Sequence, residues 1–566
     1  MAVMFIPVTK KEMEERGWDE LDVILVSGDT YADTSYNGSA VIGHWLIDNG
    51  FRVGIIAQPD ISSDEDIKRL GEPLLFWSVS AGCVDSMVAN YSATRKRRKE
   101  DDFTPGGVND RRPDRTCIAY SNLIRRYHKG AVIVLGGIEA SLRRIAHYDM
   151  WSESVRRSVL FDAKADIITY GMAELSNLEL AKTLKEGREW KDVRGICYIS
   201  PSKKEGYIEI PSFESCSDNG EFITAFRTFY ENCDPLTAKG LVQKHGDRYL
   251  IHNPPSPNIS QETLDRIYES DYENKVHPFY SKDGKVRSME TIKQSVTTHR
   301  GCYGECNFCA IGVHQGRTVI SRSEASIVRE IERITKKKGF NGIIYDVGGP
   351  TANMYGMECL IKTQVGACKD KRCIYPKMCS RLPVDHSRQI ALLETIKNMD
   401  GVKKVFVTSG IRYDMILSDE RNGKRYLDAL VKDHISGQLK IAPEHISDDI
   451  VKLMGKPGKK ELLSFKRMFD ASNKEQGKEQ FLTYYLIAAH PGCYERHMDE
   501  LHRFIVSELK TNPEQIQIFT PTPSTFSTLM YCTRRDIENK GDLKVERSMQ
   551  MKQKQKDIAL GVKQRS

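Results

Sequence analysis

The chain has 566 residues, 40% of them hydrophobic and 28% charged, with a mean hydropathy of -0.47. These are ordinary globular values, which exclude wholesale disorder and a polytopic membrane protein and leave room for about three domains. The 84 Lys and Arg against 77 Asp and Glu give a net charge of +7, too mild for a polybasic binder, so charge alone sets no partner.

The apolar opening, 1–8, precedes Lys10 and Lys11, the reverse of a signal peptide's order, and no apolar run approaches the roughly 18 residues of a membrane span. A cytoplasmic location is expected, where 14 cysteines point to metal ligands or buried thiols rather than disulfides. Next come five apolar runs alternating with helical patterns, at 22–26, 52–57, 74–80, 131–137 and 166–170. They read as strands of a doubly wound parallel sheet covered on both faces. Gly50 stands where a left-handed helix stop needs no Cβ. The basic run 95–99, with Glu100, Asp101, Asp102 and the turn Pro105-Gly106-Gly107, reads as an exposed excursion. From 195 to 287 prolines break the rhythm, and a connecting region of short strands and loops is expected. Alternation then resumes with strands at 295–298, 342–347, 403–408, 438–442, 481–488 and 515–519, six repeats that predict an open barrel. Its helix 324–338 has Ser323 as N-cap and closes on three lysines, placed as helix C-terminus charges. Residues 539–566 read as a polar helix or frayed tail.

The sharpest motif is the CxxxCxxC loop Cys302, Cys306 and Cys309, directly after the first strand of the second series. Structural zinc takes four protein ligands, whereas three thiolates from one short loop hold three irons of a cubane and leave the fourth open. Gly301 and Gly304 let the loop wrap closely. A second group, Cys359, Cys368, Cys373 and Cys379, has spacings of eight, four and five residues in a Lys-rich insertion. Three readings stay open for it: an auxiliary iron-sulfur cluster, a structural zinc site, or unrelated thiols. His445 beside Glu444, and His490, stand at strand ends facing the expected cavity, and Tyr484 and Tyr485 point to opposite faces of one strand. No phosphate-binding or nucleophile-elbow motif occurs.

The cysteine loop, with Phe308 before its third thiol, resembles the radical SAM superfamily. With Gly348-Gly349-Pro350-Thr351-Ala352-Asn353-Met354, Ala442-Pro443-Glu444-His445, His490-Pro491-Gly492-Cys493 and Phe519-Thr520-Pro521-Thr522-Pro523, nearly the whole chain is similar to YgiQ-type radical SAM proteins, a family of unassigned reaction. The resemblance implies an α/β chain: an N-terminal doubly wound, flavodoxin-like or cobalamin-binding-like domain (1–194), the connecting region (195–287), a partial (βα)6 radical SAM barrel (288–538) with a Cys-rich insertion (350–383), and the tail. It implies a 4Fe-4S cluster on Cys302, Cys306 and Cys309, with S-adenosylmethionine chelated to the open iron and cleaved to a 5'-deoxyadenosyl radical. The Gly348-Gly349 turn falls where the family meets the methionyl amine, although Pro350 replaces the usual Glu. Ser409 and Arg412 are placed to meet the ribose and carboxylate; the competing reading is a cap and a surface ion pair.

The stretch Val134-Leu135-Gly136-Gly137-Ile138-Glu139-Ala140-Ser141 resembles cobalamin-binding domains, yet the Asp-x-His-x-x-Gly motif is absent, the loop reading Gln58-Pro59-Asp60-Ile61-Ser62-Ser63. Cobalamin bound without that imidazole, or lost, remain the two alternatives. By family resemblance the partner is an electron donor such as flavodoxin or ferredoxin. An RNA or protein modification enzyme of methylthiotransferase type, and a non-catalytic iron-sulfur redox or metal-binding regulator, are the competing functions; nucleic acid as a partner rests on no recognisable motif.

Overall fold

The computed structural model describes residues 5–369, 371–511, 516–538 and 540–562. The chain forms two compact units that divide between Lys293 and Gln294, the short stretches 93–95 and 260–262 grouping with the second.

The first unit is built on one nine-stranded sheet. Its edge-to-edge order is Ile208–Ile210, Leu241–His245, Arg248–His252, Ile196–Ser200, Ile167–Thr169, Ile133–Gly136, Phe76–Ser80, Val23–Ser27, Val53–Ala57. The last five are parallel. Numbered along the chain they run 2-1-3-4-5, the flavodoxin-like order, whose switch point lies between the first and third strands. All five coincide with the expected runs. Val23–Ser27 and Val53–Ala57 are buried at every position, as a sheet covered on both faces requires. Between them Asn37 caps the helix Gly38–Ile47, and Gly50 takes φ +85° just beyond its end.

Residues 195–287 differ from the expected connection. Four of their strands extend the sheet, Ile196–Ser200 running antiparallel to Ile167–Thr169 and pairing on with Arg248–His252. Gly246, at φ +64°, turns that strand back along Leu241–His245. The prolines close this segment without breaking it, because a proline still accepts: the Gly195 amide donates to the Pro254 carbonyl at 2.8 Å. Thus the unit continues to Lys293 rather than stopping at 194.

The expected excursion is also partly internal. Asp101, Thr104, Pro105, Gly107, Asn109 and Arg112 are buried, and the Arg112 guanidinium pairs with both Asp29 and Asp101.

In the second unit, Ser295–Thr297 pairs with Asp346–Gly348, Ile343–Ile344 with Lys404–Val405, and Gln438–Glu444 with Phe481–Ala488, which pairs with Ile516–Ile518, all parallel. A parallel bridge between Ile411 and Ile441 joins the third segment to the fourth. This is the expected partial (βα)6 barrel; of the sixth expected strand, residue 515 lies outside the described residues. Its core gathers Val296, Ile344, Val347, Val405, Ile441 and Leu486 with the inner faces of helices Glu324–Thr335, Ser387–Lys397 and Lys459–Gln476. The stretch expected as a polar tail contains the helix Met549–Ala559, which is packed: Ala559 is in the core, and Lys552, fully buried, donates to the Tyr531 hydroxyl at 2.9 Å. Residues 539 and 563–566 lie outside the described part. Among the described residues no helix is long and apolar enough to cross a membrane.

Candidate functional site

The cysteine loop leaves the first barrel strand through His299–Arg300, which pairs antiparallel with Ile320–Ser321. Gly301 makes the departure possible: at φ +82°, a Cβ there would stand 2.0 Å from the Thr318 carbonyl oxygen. The far side is fixed by distant segments. The Asn307 amide donates to the Met454 carbonyl at 2.9 Å, its side chain to the Leu453 carbonyl at 2.8 Å, and its own carbonyl accepts from the Ser527 amide at 2.8 Å.

These anchors bring thiols and a cation to one point. A Cβ on Gly304 would lie 3.2 Å from Cys302 Sγ, 3.5 Å from Cys306 Sγ and 3.6 Å from Arg412 Nη1. The Gly304 amide donates to Cys302 Sγ at 3.3 Å, Arg412 Nη1 donates to Cys306 Sγ at 3.4 Å, and Thr351 Oγ1 lies 3.4 Å from Cys302 Sγ. Burial raises the Cys302 thiol, and burial with the neighbouring Cys306 pushes Cys309 up to about 12. A ligand for these sulfurs must therefore displace protons. Among the described residues no three His, Cys, Asp or Glu side chains converge as they would around one ion. A cubane does not ask for that, since each thiolate binds a different iron. The thiols, the amide at Gly304 and the guanidinium fit such a group.

The other expected residues surround this loop. Gly348 leaves room for Ser409, whose Cβ would be 3.3 Å from an added Cβ, and a Cβ added at Gly349 would stand 2.6 Å from His299 Cε1. Ser409 does not stand free: its hydroxyl donates to Asp346, which also accepts the Thr408 and Ser409 amides at 2.7 and 3.0 Å. Arg412 is buried, not a surface ion pair, and Asp414 holds Nε and Nη2 at 2.8 and 2.5 Å, aiming Nη1 at Cys306. Asn353 ties the two turns together, accepting from the Arg412 amide at 2.7 Å and donating to its carbonyl at 3.0 Å. Asp346 and Asp414 were missed by sequence reasoning; the signal for the first was a carboxylate inside an otherwise apolar strand.

Glu444 is buried at φ +67°. Burial raises its carboxyl while Lys456, 3.7 Å away, pulls it back. His445 is held neutral by burial, down to about 3. His490, down to about 4 for the same reason, bonds Ser527 Oγ at 2.7 Å and lies 2.9 Å from the Pro491 carbonyl, both structural contacts. Tyr484 is buried and Tyr485 half-buried on the other face. His299 is likewise held down, to about 4, by its burial.

In the first unit, the switch point is occupied by the protein itself. Arg112 donates to Asp29 Oδ1 at 2.6 Å, to the Ala81 carbonyl at 2.7 Å and to Asp101 Oδ2 at 2.8 Å. Gln58 Nε2 donates to the Gly28 carbonyl at 3.0 Å and to Thr104 Oγ1 at 2.7 Å. Glu139, from the Gly136-Gly137 stretch, accepts the Ser86 and Cys117 amides at 2.9 and 3.0 Å.

A flavodoxin-like unit and a barrel whose first strand ends in a CxxxCxxC loop define the architecture of a radical SAM protein. The model of the radical SAM N-terminal family matches residues 5–295, ending two residues past the boundary of the first unit. A UPF0313 protein of Fusobacterium nucleatum is 59% identical over 557 residues, 98% of each chain. One of Thermotoga maritima is 47% identical over 98% of each, and one of Methanosarcina acetivorans 45% identical over 94% of this chain and 75% of its own. The chain belongs to the UPF0313 family of radical SAM proteins, enzymes of unassigned reaction. Among solved structures, the radical S-adenosylmethionine methyltransferase TsrM from Kitasatospora setae, with cobalamin and a [4Fe-4S] cluster bound, has a TM-score of 0.50 at 14% identity over 89% of this chain and 76% of that one. That likeness concerns the fold.

Proposed function

We propose that this chain binds a 4Fe-4S cluster through Cys302, Cys306 and Cys309 and cleaves S-adenosylmethionine reductively. The observation that carries the reading is the meeting of two of these thiols with the Arg412 guanidinium at Gly304, at the mouth of the first barrel strand. A cluster bound there supplies the electron that splits S-adenosylmethionine into methionine and a 5'-deoxyadenosyl radical. Arg412 holds a positive charge against Cys306 and so favours the reduced, more negative state of whatever the sulfur ligates. The Gly348-Gly349 turn offers backbone where Pro350 has removed a carboxylate acceptor, and Ser409 keeps its oxygen beside Gly348 through Asp346. The low-dielectric surroundings of these groups exclude water from a reactive radical. An external one-electron donor such as flavodoxin or ferredoxin completes the reaction.

This reading does not require cobalamin. Its place in a flavodoxin-like unit is outside the strand ends at the switch point. Here Arg112, Asp29 and Asp101 fill that place as a buried ion network, and Gln58 stands pinned to backbone where a lower imidazole ligand would have been carried.

The test is anaerobic incubation of the reconstituted protein with S-adenosylmethionine and dithionite, reading 5'-deoxyadenosine. The wild-type chain is expected to form it, and the Cys302→Ala, Cys306→Ala, Cys309→Ala variant to form none. Product from that variant, or none from an iron-loaded wild type, refutes the reading.

A further inference from the structure

The second cysteine group is brought together in space. Cys359, Cys368, Cys373 and Cys379 all line one cavity that is open on one side. Two of them are set by local turns, the Cys379 amide donating to the Cys373 carbonyl at 2.8 Å. A third is fixed from the first cysteine loop, where the Tyr303 hydroxyl accepts the Cys359 amide at 2.9 Å.

Cys359 and Cys373 are buried beside Tyr303, Ile374 and Leu382, with Cys379 packed against them. Besides the thiols and two aliphatic side chains, the described lining of the cavity consists of Lys362, Lys371, Arg372 and Arg381. Lys362 is buried to 2% exposure, and its one carboxylate partner, Glu305 at 3.4 Å, is shared with Arg317 at 3.6 Å. Buried cations are costly unless negative charge offsets them. Metal-bound thiolates would supply negative charge beside the buried Lys362, while Lys371 and Arg381 are exposed and Arg372 half-buried at the rim.

Among the described residues no three ligand side chains meet as around one ion. A tetrahedral zinc site gathers its four sulfurs at about 2.3 Å from one centre, whereas a cubane places each on its own iron. We propose that Cys359, Cys368, Cys373 and Cys379 ligate a second, fully coordinated iron-sulfur cluster, beside Tyr303 of the first cysteine loop. This site does not depend on the first loop's reading, because all four ligands and all four cations belong to the insertion.

The experiment is iron, sulfide and zinc quantitation with electron paramagnetic resonance on anaerobically reconstituted full-length chain. About eight irons per wild-type chain are expected, falling to about four in the Cys302→Ala, Cys306→Ala, Cys309→Ala variant, whose remaining signal ignores S-adenosylmethionine. The reciprocal Cys368→Ala, Cys379→Ala variant is expected to keep about four irons and the S-adenosylmethionine response. Together these cover the case in which either variant folds poorly. One zinc and no iron in the first variant overturns the cluster; about four irons in the wild type, all lost with the first loop, overturns the site.

Discussion

Arg112→Ala would strip the switch point of its only guanidinium while leaving Asp29 and Asp101 in place. The side chain is fully enclosed, its carboxylate partners are 2% and 3% exposed, and it makes three hydrogen bonds of 2.8 Å or shorter. Removing one member of so buried a network leaves uncompensated charge, a loss of about 3–5 kcal/mol. At about 2–3 °C per kcal/mol for a unit of this size, the first unit's transition should fall by roughly 6–15 °C, read by calorimetry or by circular dichroism on the full chain. Replacing all three together, Asp29→Asn, Asp101→Asn and Arg112→Met, removes the charges as a set, and most of the loss should return, a non-additivity that identifies the network as the cause. A loss below about 1 kcal/mol for Arg112→Ala, the value of an exposed pair, would refute the reasoning.

Two further outcomes concern the second unit. His299, His445 and His490 are held neutral by burial, down to about 4, 3 and 4, whereas unfolded histidine titrates near 6.5. Below pH 6.5 the unfolded chain therefore binds more protons, and stability present above that pH is lost as it falls toward 4. The unit's unfolding midpoint should drop across that window with uptake of up to three protons, and a flat profile would contradict the burial of these rings. Gly301→Ala places a Cβ 2.0 Å from the Thr318 oxygen at a left-handed position, costing about 1–2 kcal/mol in backbone alone. It should lower that unit's midpoint and cut the iron retained after reconstitution several-fold, while wild-type midpoint and iron content would show that the loop bends otherwise.

The five parallel strands were legible because each is an apolar run, four of them buried throughout, and the barrel because its strands recur with helices between them. What sequence could not show is pairing across distance. Asp101 read as a member of a charged, exposed loop, since nothing local announces its partner Arg112 or that Asp29, 83 residues before Arg112, shares the guanidinium. The strands of 195–287 are short, and their prolines drew attention away from the hairpin turn at Gly246. Lys552 looked like a solvated charge because its burial depends on Tyr531. Within the site, the cysteines and the Gly-Gly turn stood out by spacing. Asp346 and Asp414 did not, for they act by holding Ser409 and Arg412, which only geometry reveals.

The anchoring of the cysteine loop bears on when its thiols acquire their arrangement. Cys302, Cys306 and Cys309 emerge from the ribosome within eight residues, but Asn307 finds its partners at Leu453 and Met454 and at Ser527, more than 140 and more than 200 residues later. Until those segments have been synthesised and folded, the loop is a short flexible peptide with reactive sulfurs. Maturation of the centre therefore follows completion of the barrel, and delivery of its metal is a step on the folded chain rather than on the nascent one.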